Sequence, residues 1–445
     1  MANAWVHRSR LSTRHKILWA FGTFGVSLSY EAFIGWVQFF YLDVLRLAPL
    51  AMTWAWVLYT LWNMVNDPLA GQLSDKTNSR WGRRIPWIVV LAVPLGASFA
   101  AIWMAPTGLG TTFGGGLWWY FLIAICVFDA FFSAITINYV ALFPAMYPEQ
   151  GPRATVAGWR QAFAILGVIV GVTFAKSVAD AIGWAMMGVV FGALASAAFL
   201  VSLGGSFEPA HTTAPSELPF TKAVRRTLES LTFRWFLVMS TAIEFVLVVL
   251  PAVVPLFAKY VLGETDGLRQ GLISGMAFVV AIPSFTLWTW AAKRWETRSA
   301  IIVALGVFGV LLVPLGIVHT YSQALVAAGG LGIGLAGLLM LREVMLADVI
   351  DEDAARHGVR REGMFFGMHG FVIRAAFAFQ GTLIGGMLAV TGYDPALASQ
   401  PTSVALGLRL LISGVPLVAV IVAMVAAGKY SLFGERLAGV KASTP

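Results

Sequence analysis

Twelve apolar stretches dominate this chain, each long enough to cross the roughly 30 Å hydrocarbon core of a bilayer at about 1.5 Å per helical residue. They run at about 16–42, 50–74, 86–106, 117–146, 157–179, 184–204, 233–260, 268–292, 299–319, 322–350, 363–392 and 404–428. Lipid offers no partner to a backbone N–H or C=O, so each stretch is expected to be a helix that satisfies its own backbone. The expected fold class is an all-α membrane protein. The longest polar connection, Gly205 to Leu231, falls between the sixth and seventh stretches. It divides the chain into two expected six-helix bundles, 1–204 and 232–445, joined by a loop at 205–231.

Composition agrees with that reading. Charged residues make up 12% of the chain and hydrophobic ones 58%, against roughly 25% charge in soluble domains. If the N-terminus faces the cytoplasm, 22 of the 30 Lys and Arg residues fall in segments on the inner side. This bias orients both termini and the 205–231 loop toward the cytoplasm, as in a bacterial inner membrane protein. The net charge of +8 then reports topology, and no nucleic-acid partner is expected. The expected partners are the lipid bilayer and a small-molecule solute, with the chain acting as a monomer. A single cysteine, Cys126, excludes disulfides within the chain and cysteine-based zinc or redox motifs, and no cofactor is expected. The N-terminus is polar up to Lys16 and the first apolar run is too long for a signal peptide, so none is expected.

Motifs of soluble chemistry are missing or out of context. The patterns G-x-x-x-x-G-K-[ST], H-E-x-x-H and G-x-S-x-G do not occur, so neither an ATP motor nor an enzyme is expected. Gly332-Ile-Gly334-Leu-Ala-Gly337 fits G-x-G-x-x-G but lies inside the tenth stretch with no strand before it, which makes it a helix-packing run. Gly167/Gly171 and Gly188/Gly192 are small-residue pairs that let helices approach, and Pro68, Pro94, Pro251, Pro255, Pro283, Pro314 and Pro416 are expected bends.

Ionisable groups inside the spans are the candidate functional residues, since a buried aspartate costs about 2.5 to 3.5 kcal/mol on insertion scales. Helical spacing arranges the polar residues in stripes. Tyr59, Asn63 and Asp67 share one face of the second span; Ser27, Glu31 and Gln38 share one of the first; Asp129, Ser133 and Thr136 share one of the fourth. Arg160 lies in the fifth span, and His369, read as a packing residue, lies with Arg374 in the eleventh. Glu244 of the seventh span and the Arg342/Glu343 pair of the tenth are expected internal salt bridges. Tyr30 and Tyr59 are the aromatics nominated to stack on a solute.

Two segments carry a family resemblance. The run from Asn66-Asp67-Pro68 to Arg83-Arg84-Ile85-Pro86-Trp87, and Met345-Leu-Ala-Asp348-Val-Ile-Asp351 with Arg361-Glu362-Gly363, resemble the glycoside, pentoside and hexuronide:cation symporters, the melibiose-permease-like branch of the major facilitator superfamily. A weaker third match runs from Tyr139 through Pro144 to Arg153 and Arg160. The resemblance implies a twelve-helix major facilitator fold and transport by alternating access. It places the coupling cation among Asp67, which matches the second helix-two carboxylate of sodium-coupled members, Asn63 at the position of the first, and Thr136 at the helix-four position. Ser27 falls at an acidic helix-one position. Arg160 resembles the helix-five arginine of the sugar site, and Arg374 stands where helix eleven commonly carries a lysine.

With Asn63 and Thr136 neutral, the expected coupling ion is the proton rather than sodium, centred on Asp67 with Glu31 and Asp129 as helpers. A lone carboxylate in a low-dielectric setting is costly to keep charged, which favours its protonation. The expected activity is proton-coupled symport of a sugar or glycoside. The alternative is an amphipathic lipid-like solute such as a lysophospholipid, because vertebrate lysolipid carriers resemble the same family. Substrate contacts are assigned to Arg160, Arg374, Tyr59, Tyr30 and Ser27. A state-dependent gate is assigned to Asp75, Arg83 and Arg84, with Asp348, Asp351, Arg361 and Glu362 at the matching end of the other half.

Overall fold

A computed structural model describes residues 12–77, 79–147, 150–208, 228–357, 362–397 and 399–443. Among the described residues every regular element is helical. In the first half these are α1 (Thr13–Phe39), α2 (Pro49–Asp75), α3 (Ile85–Ile102), α4 (Gly116–Met146), α5 (Gln150–Ile182) and α6 (Trp184–Leu203). The second half holds α7 (Leu231–Val261), α8 (Gly267–Trp295), α9 (Thr297–Ile317) and α10 (Tyr321–His357). Two spans there are divided: α11 (Glu362–Ile373) and α12 (Ala375–Thr391) form one, α13 (Thr402–Arg409) and α14 (Val415–Lys429) another, and α15 (Gly434–Ser443) follows.

Among the described residues, eleven spans are long and apolar enough to cross a membrane by length and composition. The long helix outside that set is α2, which has the length, 27 residues, but carries Asn63, Asn66, Asp67 and Gln72. Its low hydropathy is the price of the polar stripe that the candidate site uses.

The chain forms two compact units, one built from α1–α6 together with residues 266–271, the other from α7–α15 without them. Glycine sets the helix spacing in the first. A Cβ on Gly167 would lie 2.7 Å from the carbonyl oxygen of Phe24, and one on Gly171 would lie 2.7 Å from that of Leu28, so α5 rests directly on the backbone of α1. The Trp36 indole N–H adds a 2.9 Å hydrogen bond to the Val172 carbonyl across the same seam. Such close backbone contact is how helices associate where lipid removes the hydrophobic drive between them. Gly188 likewise accommodates the Trp103 ring.

In the second unit, a Cβ on Gly334 would lie 2.7 Å from Phe308, and one on Gly337 would lie 2.6 Å from Ala304. The G-x-G-x-x-G run is therefore the surface on which α10 packs against α9. Pro68, Pro94, Pro251, Pro255, Pro283 and Pro314 all sit inside continuous helices. Pro416 follows a π-helical turn, Leu410–Gly414, which absorbs its missing N–H between α13 and α14. A second π-helical turn, Phe40–Val44, ends the first span.

Candidate cation and solute site

The polar stripe of α2 meets α4 at one carboxylate. Tyr59, Asn63 and Asn66 recur at helical spacing, so their side chains leave α2 on one face. All three converge on Asp129, 13 residues into α4. The Tyr59 hydroxyl donates to Oδ1 at 3.1 Å, the Asn63 amide donates to Oδ1 at 2.9 Å, and the Asn66 amide donates to Oδ2 at 2.9 Å and to the Asp129 carbonyl at 3.0 Å. Asn63 also donates to the Tyr59 oxygen at 3.2 Å. Asp129 is 4% exposed, and its three partners are all buried. These donors are neutral, so they steady a charged carboxylate without cancelling its charge.

Asp67 lies one residue beyond Asn66, half-buried, with one carboxylate oxygen shielded from solvent. Thr136 shares the face of Asp129 but lies two turns away, about 10 Å along α4, and its buried hydroxyl has no hydrogen-bond partner among the described residues. The residue of α4 that the structure brings to Asn63 is Asp129. Tyr30 of α1 stacks on Phe132 of α4, ring centroids 5.3 Å apart, one turn from Asp129. Ser27 and Glu31 lie over Gly167 and Gly171 of α5, the Glu31 Cβ 3.3 Å from a Cβ built on Gly171.

Arg160 occupies a different place. Its guanidinium lies 4.7 Å from the Phe143 ring centroid and 5.5 Å from that of Trp19, and Trp19 stacks on Tyr139 at 4.8 Å. Phe143 is about 21 Å along α4 from Asp129 at 1.5 Å per residue. Arg160 is thus the lid of an aromatic cage near the end of the unit where α1 begins, worth about 0.5 to 2 kcal/mol as a cation–π contact. Its Nε is buried without a hydrogen bond. Arg374 stands at the joint between α11 and α12 in the second unit.

The gate residues find partners that spacing did not suggest. Arg84 donates its backbone N–H to Glu208 Oε2 at 2.9 Å, the Arg83 Nε lies 3.7 Å from Glu208 Oε1, and the Arg84 guanidinium donates to the Ala141 carbonyl. Gly82 takes φ +98° directly over the Glu208 side chain, a conformation that favours glycine. The Asp75 and Glu362 side chains and all of Arg361 lie outside the described residues. Asp348 is buried and Asp351 half-buried on α10.

The ion-pair centre at that end of the second unit is Glu352, one turn past Asp348. Its side chain, 3% exposed, binds Arg356 at 2.6 Å and also Arg436 of α15. Tyr430 donates to the Met345 carbonyl at 3.3 Å; burial, then Asp348 and Glu352, hold its phenol above the usual range and keep it a donor.

Sequence reasoning missed Asn66, Glu208, Glu352 and Arg436. Asn66 was readable, since it lies seven residues from Tyr59 on the same face. Glu208 and Arg436 were not, because their partners are 124 and 84 residues away in the chain.

Comparison with known proteins shows the family and the fold. Residues 18–432 match the family model described as MFS/sugar transport protein. The isoprimeverose transporter of Lactiplantibacillus pentosus is 24% identical over 412 residues, covering 87% of this chain and 82% of that protein. The sodium-dependent lysophosphatidylcholine symporter 1 of Gallus gallus is 25% identical over 464 residues, covering 92% and 84%. Among solved structures, a mutant of the nucleoside transporter NupG superposes with TM-score 0.70 at 10% identity, covering 93% of this chain and 99% of that one. A bacterial homologue of the lysosomal transporter Spinster gives 0.69 at 13%, covering 94% and 98%. These two show the fold.

Proposed function

Because the chain belongs to the MFS/sugar transport protein family, we propose that it is a proton-coupled symporter of a sugar or glycoside, with Asp129 and Asp67 as the coupling carboxylates. The observation that carries this is Asp129 itself, buried at mid-helix and bonded by Tyr59, Asn63 and Asn66. An intramembrane carboxylate, when ionised, carries a negative charge that an incoming cation neutralises, and the neutral donors at these contacts leave that charge in place. A proton needs one lone pair of the carboxylate. Sodium needs several oxygens, and the two asparagine amides turn their N–H groups, not their oxygens, toward Asp129. Protonation weakens the hold of α2 on α4, and that change is the differential contact by which a cation biases alternating access.

The solute is proposed to be small and polar, in keeping with the isoprimeverose transporter's similarity. The second reading is an amphipathic lipid-like solute, favoured by the match to the lysophosphatidylcholine symporter over 92% of the chain. The gate is proposed to comprise the basic turn Arg83–Arg84 with Asp75, and the α10 end with Asp348, Asp351, Arg361 and Glu362. The orientation follows from charge, with both termini cytoplasmic in a bacterial inner membrane.

The deciding experiment is uptake by proteoliposomes under a proton gradient alone or a sodium gradient alone, with isoprimeverose and lysophosphatidylcholine as separate probes. Accumulation of isoprimeverose driven by protons is expected. Accumulation driven by sodium at equal pH overturns the proton assignment, and accumulation of the lipid alone selects the second reading.

A further inference from the structure

In the second unit one cation stands beside two carboxylates. Arg342 of α10 donates from Nη1 to Glu244 Oε2 of α7 at 2.6 Å, while its Nε lies 3.8 Å from Glu343 Oε1. The Arg342 and Glu244 side chains are 11% and 15% exposed, and that of Glu343 is 57% exposed. Arg342 Nε is buried and makes no hydrogen bond, so the guanidinium has an unfilled donor on its Glu343 side. The three groups sum to one surplus negative charge.

Breaking a buried ion pair costs about 3 to 5 kcal/mol, and apolar replacement of such a pair is often neutral or stabilising. Stability alone therefore gives a weak reason for placing a Glu–Arg–Glu set in a span. A second polar contact lies one turn earlier on α7, where the Ser240 hydroxyl and His369 Nε2 of α11 are 2.6 Å apart and buried.

We propose that Glu244 is a proton-carrying carboxylate of the second unit, held deprotonated by Arg342, with Glu343 as the carboxylate to which Arg342 turns when Glu244 takes up its proton. Only a proton moves: it forms an O–H bond on Glu244, the charge-assisted bond to Nη1 loses its strength, and Nε closes its gap to Glu343. The set passes from one net negative charge to none, and release of the proton reverses each step. Arg342 is the positioning residue. This rests on the reading of the chain as a cation-coupled symporter, and adds to it a carboxylate in the half that does not contain Asp129.

Among the described residues, the elements packed around α7 bring few titratable or charged groups toward Glu244. From α10 they are Arg342 and Glu343; from α11, His369; at the α11–α12 joint stands Arg374. Lys429 over Trp235 and Arg409 over Phe257 mark the two ends of α7, about 14 and 20 Å along the helix from Glu244.

The test is the infrared difference spectrum of the full protein in lipid nanodiscs between mildly alkaline and mildly acid buffer, which needs no solute. A carboxylic-acid C=O band is expected that shifts when glutamate is isotope-labelled, disappears in Glu244→Gln, and follows labelled aspartate in Glu244→Asp. Arg342→Gln is expected to abolish the difference band by leaving Glu244 in one protonation state in both buffers, and Arg342→Lys to restore it. Persistence of the glutamate band in Glu244→Gln, or absence of any glutamate-sensitive band in the unmodified protein, overturns the proposal. Should Glu244→Gln fail to fold, the label swap in Glu244→Asp decides. Uptake measured separately tests the symporter reading, so the two can fail independently.

Discussion

Asn63 of α2 donates a 2.9 Å hydrogen bond to Asp129 of α4, across 66 residues of chain. The bond joins two helices near their middles, inside the membrane-spanning part of the first unit, and it is charge-assisted when Asp129 is ionised. Bonds to a charged acceptor are worth about 1.5 to 3 kcal/mol. Asp129→Asn is expected to keep solute exchange between equal pools while abolishing accumulation against a gradient. Retained accumulation in proteoliposomes would remove Asp129 from coupling.

Asn63→Asp sets a second carboxylate against Asp129. Two like charges within hydrogen-bond reach do not both stay ionised without a cation between them, and the second carboxylate supplies oxygens and negative charge that sodium needs and Asn63 does not offer. Sodium-stimulated uptake at constant pH is expected in this variant, measured beside the unmodified protein. No sodium response would mean that the ligand set is incomplete for other reasons.

Gly167→Val is expected to lower thermal stability in detergent, because its Cβ would meet the Phe24 carbonyl at 2.7 Å. Overpacking of this kind costs about 1 to 3 kcal/mol. Gly158→Ala on the same helix meets nothing within 4 Å and serves as the control, with a melting temperature unchanged or slightly raised. Equal melting curves for Gly167→Val and the unmodified protein would contradict the close seam between α5 and α1.

Glu208→Ala removes the acceptor of the Arg84 N–H and the partner of Arg83. Faster hydrogen exchange at residues 79–84 is expected, with a loss of about 1 kcal/mol in stability, because Arg83 is partly exposed and its pairing is screened. Exchange at Asp129 and its partners should stay as it was. Unchanged protection of the loop would show that the Arg84 guanidinium on Ala141 holds it alone.

Orientation is open to chemical labelling. In a Cys126→Ala background, Ser12→Cys is expected to resist an impermeant thiol reagent in intact cells while Gly263→Cys reacts, as the distribution of Lys and Arg requires. The reverse pattern would invert the topology.

The sequence by itself determined the helical spans, the carboxylates and arginines within them, and the glycine runs that pack helices. Length, hydropathy and 3.6-residue spacing act within one helix, so they can be read along the chain. Gly334 and Gly337 read as packing positions, and the structure sets them on Phe308 and Ala304; Glu244 and the Arg342/Glu343 pair read as internal salt bridges, and the structure pairs Glu244 with Arg342. Only the tertiary structure decided which stripes meet. It brought Asp129 to the α2 stripe and left Thr136 two turns away, carried Arg160 to the Trp19–Phe143 cage, and gave Arg83 and Arg84 the partner Glu208. The reason is rotational: spacing fixes which residues share a face, while packing fixes the neighbour toward which that face is turned. The close α1–α5 seam helps set that rotation: Gly167 and Gly171 could be read as a packing pair, but that they rest on the Phe24 and Leu28 carbonyls could not.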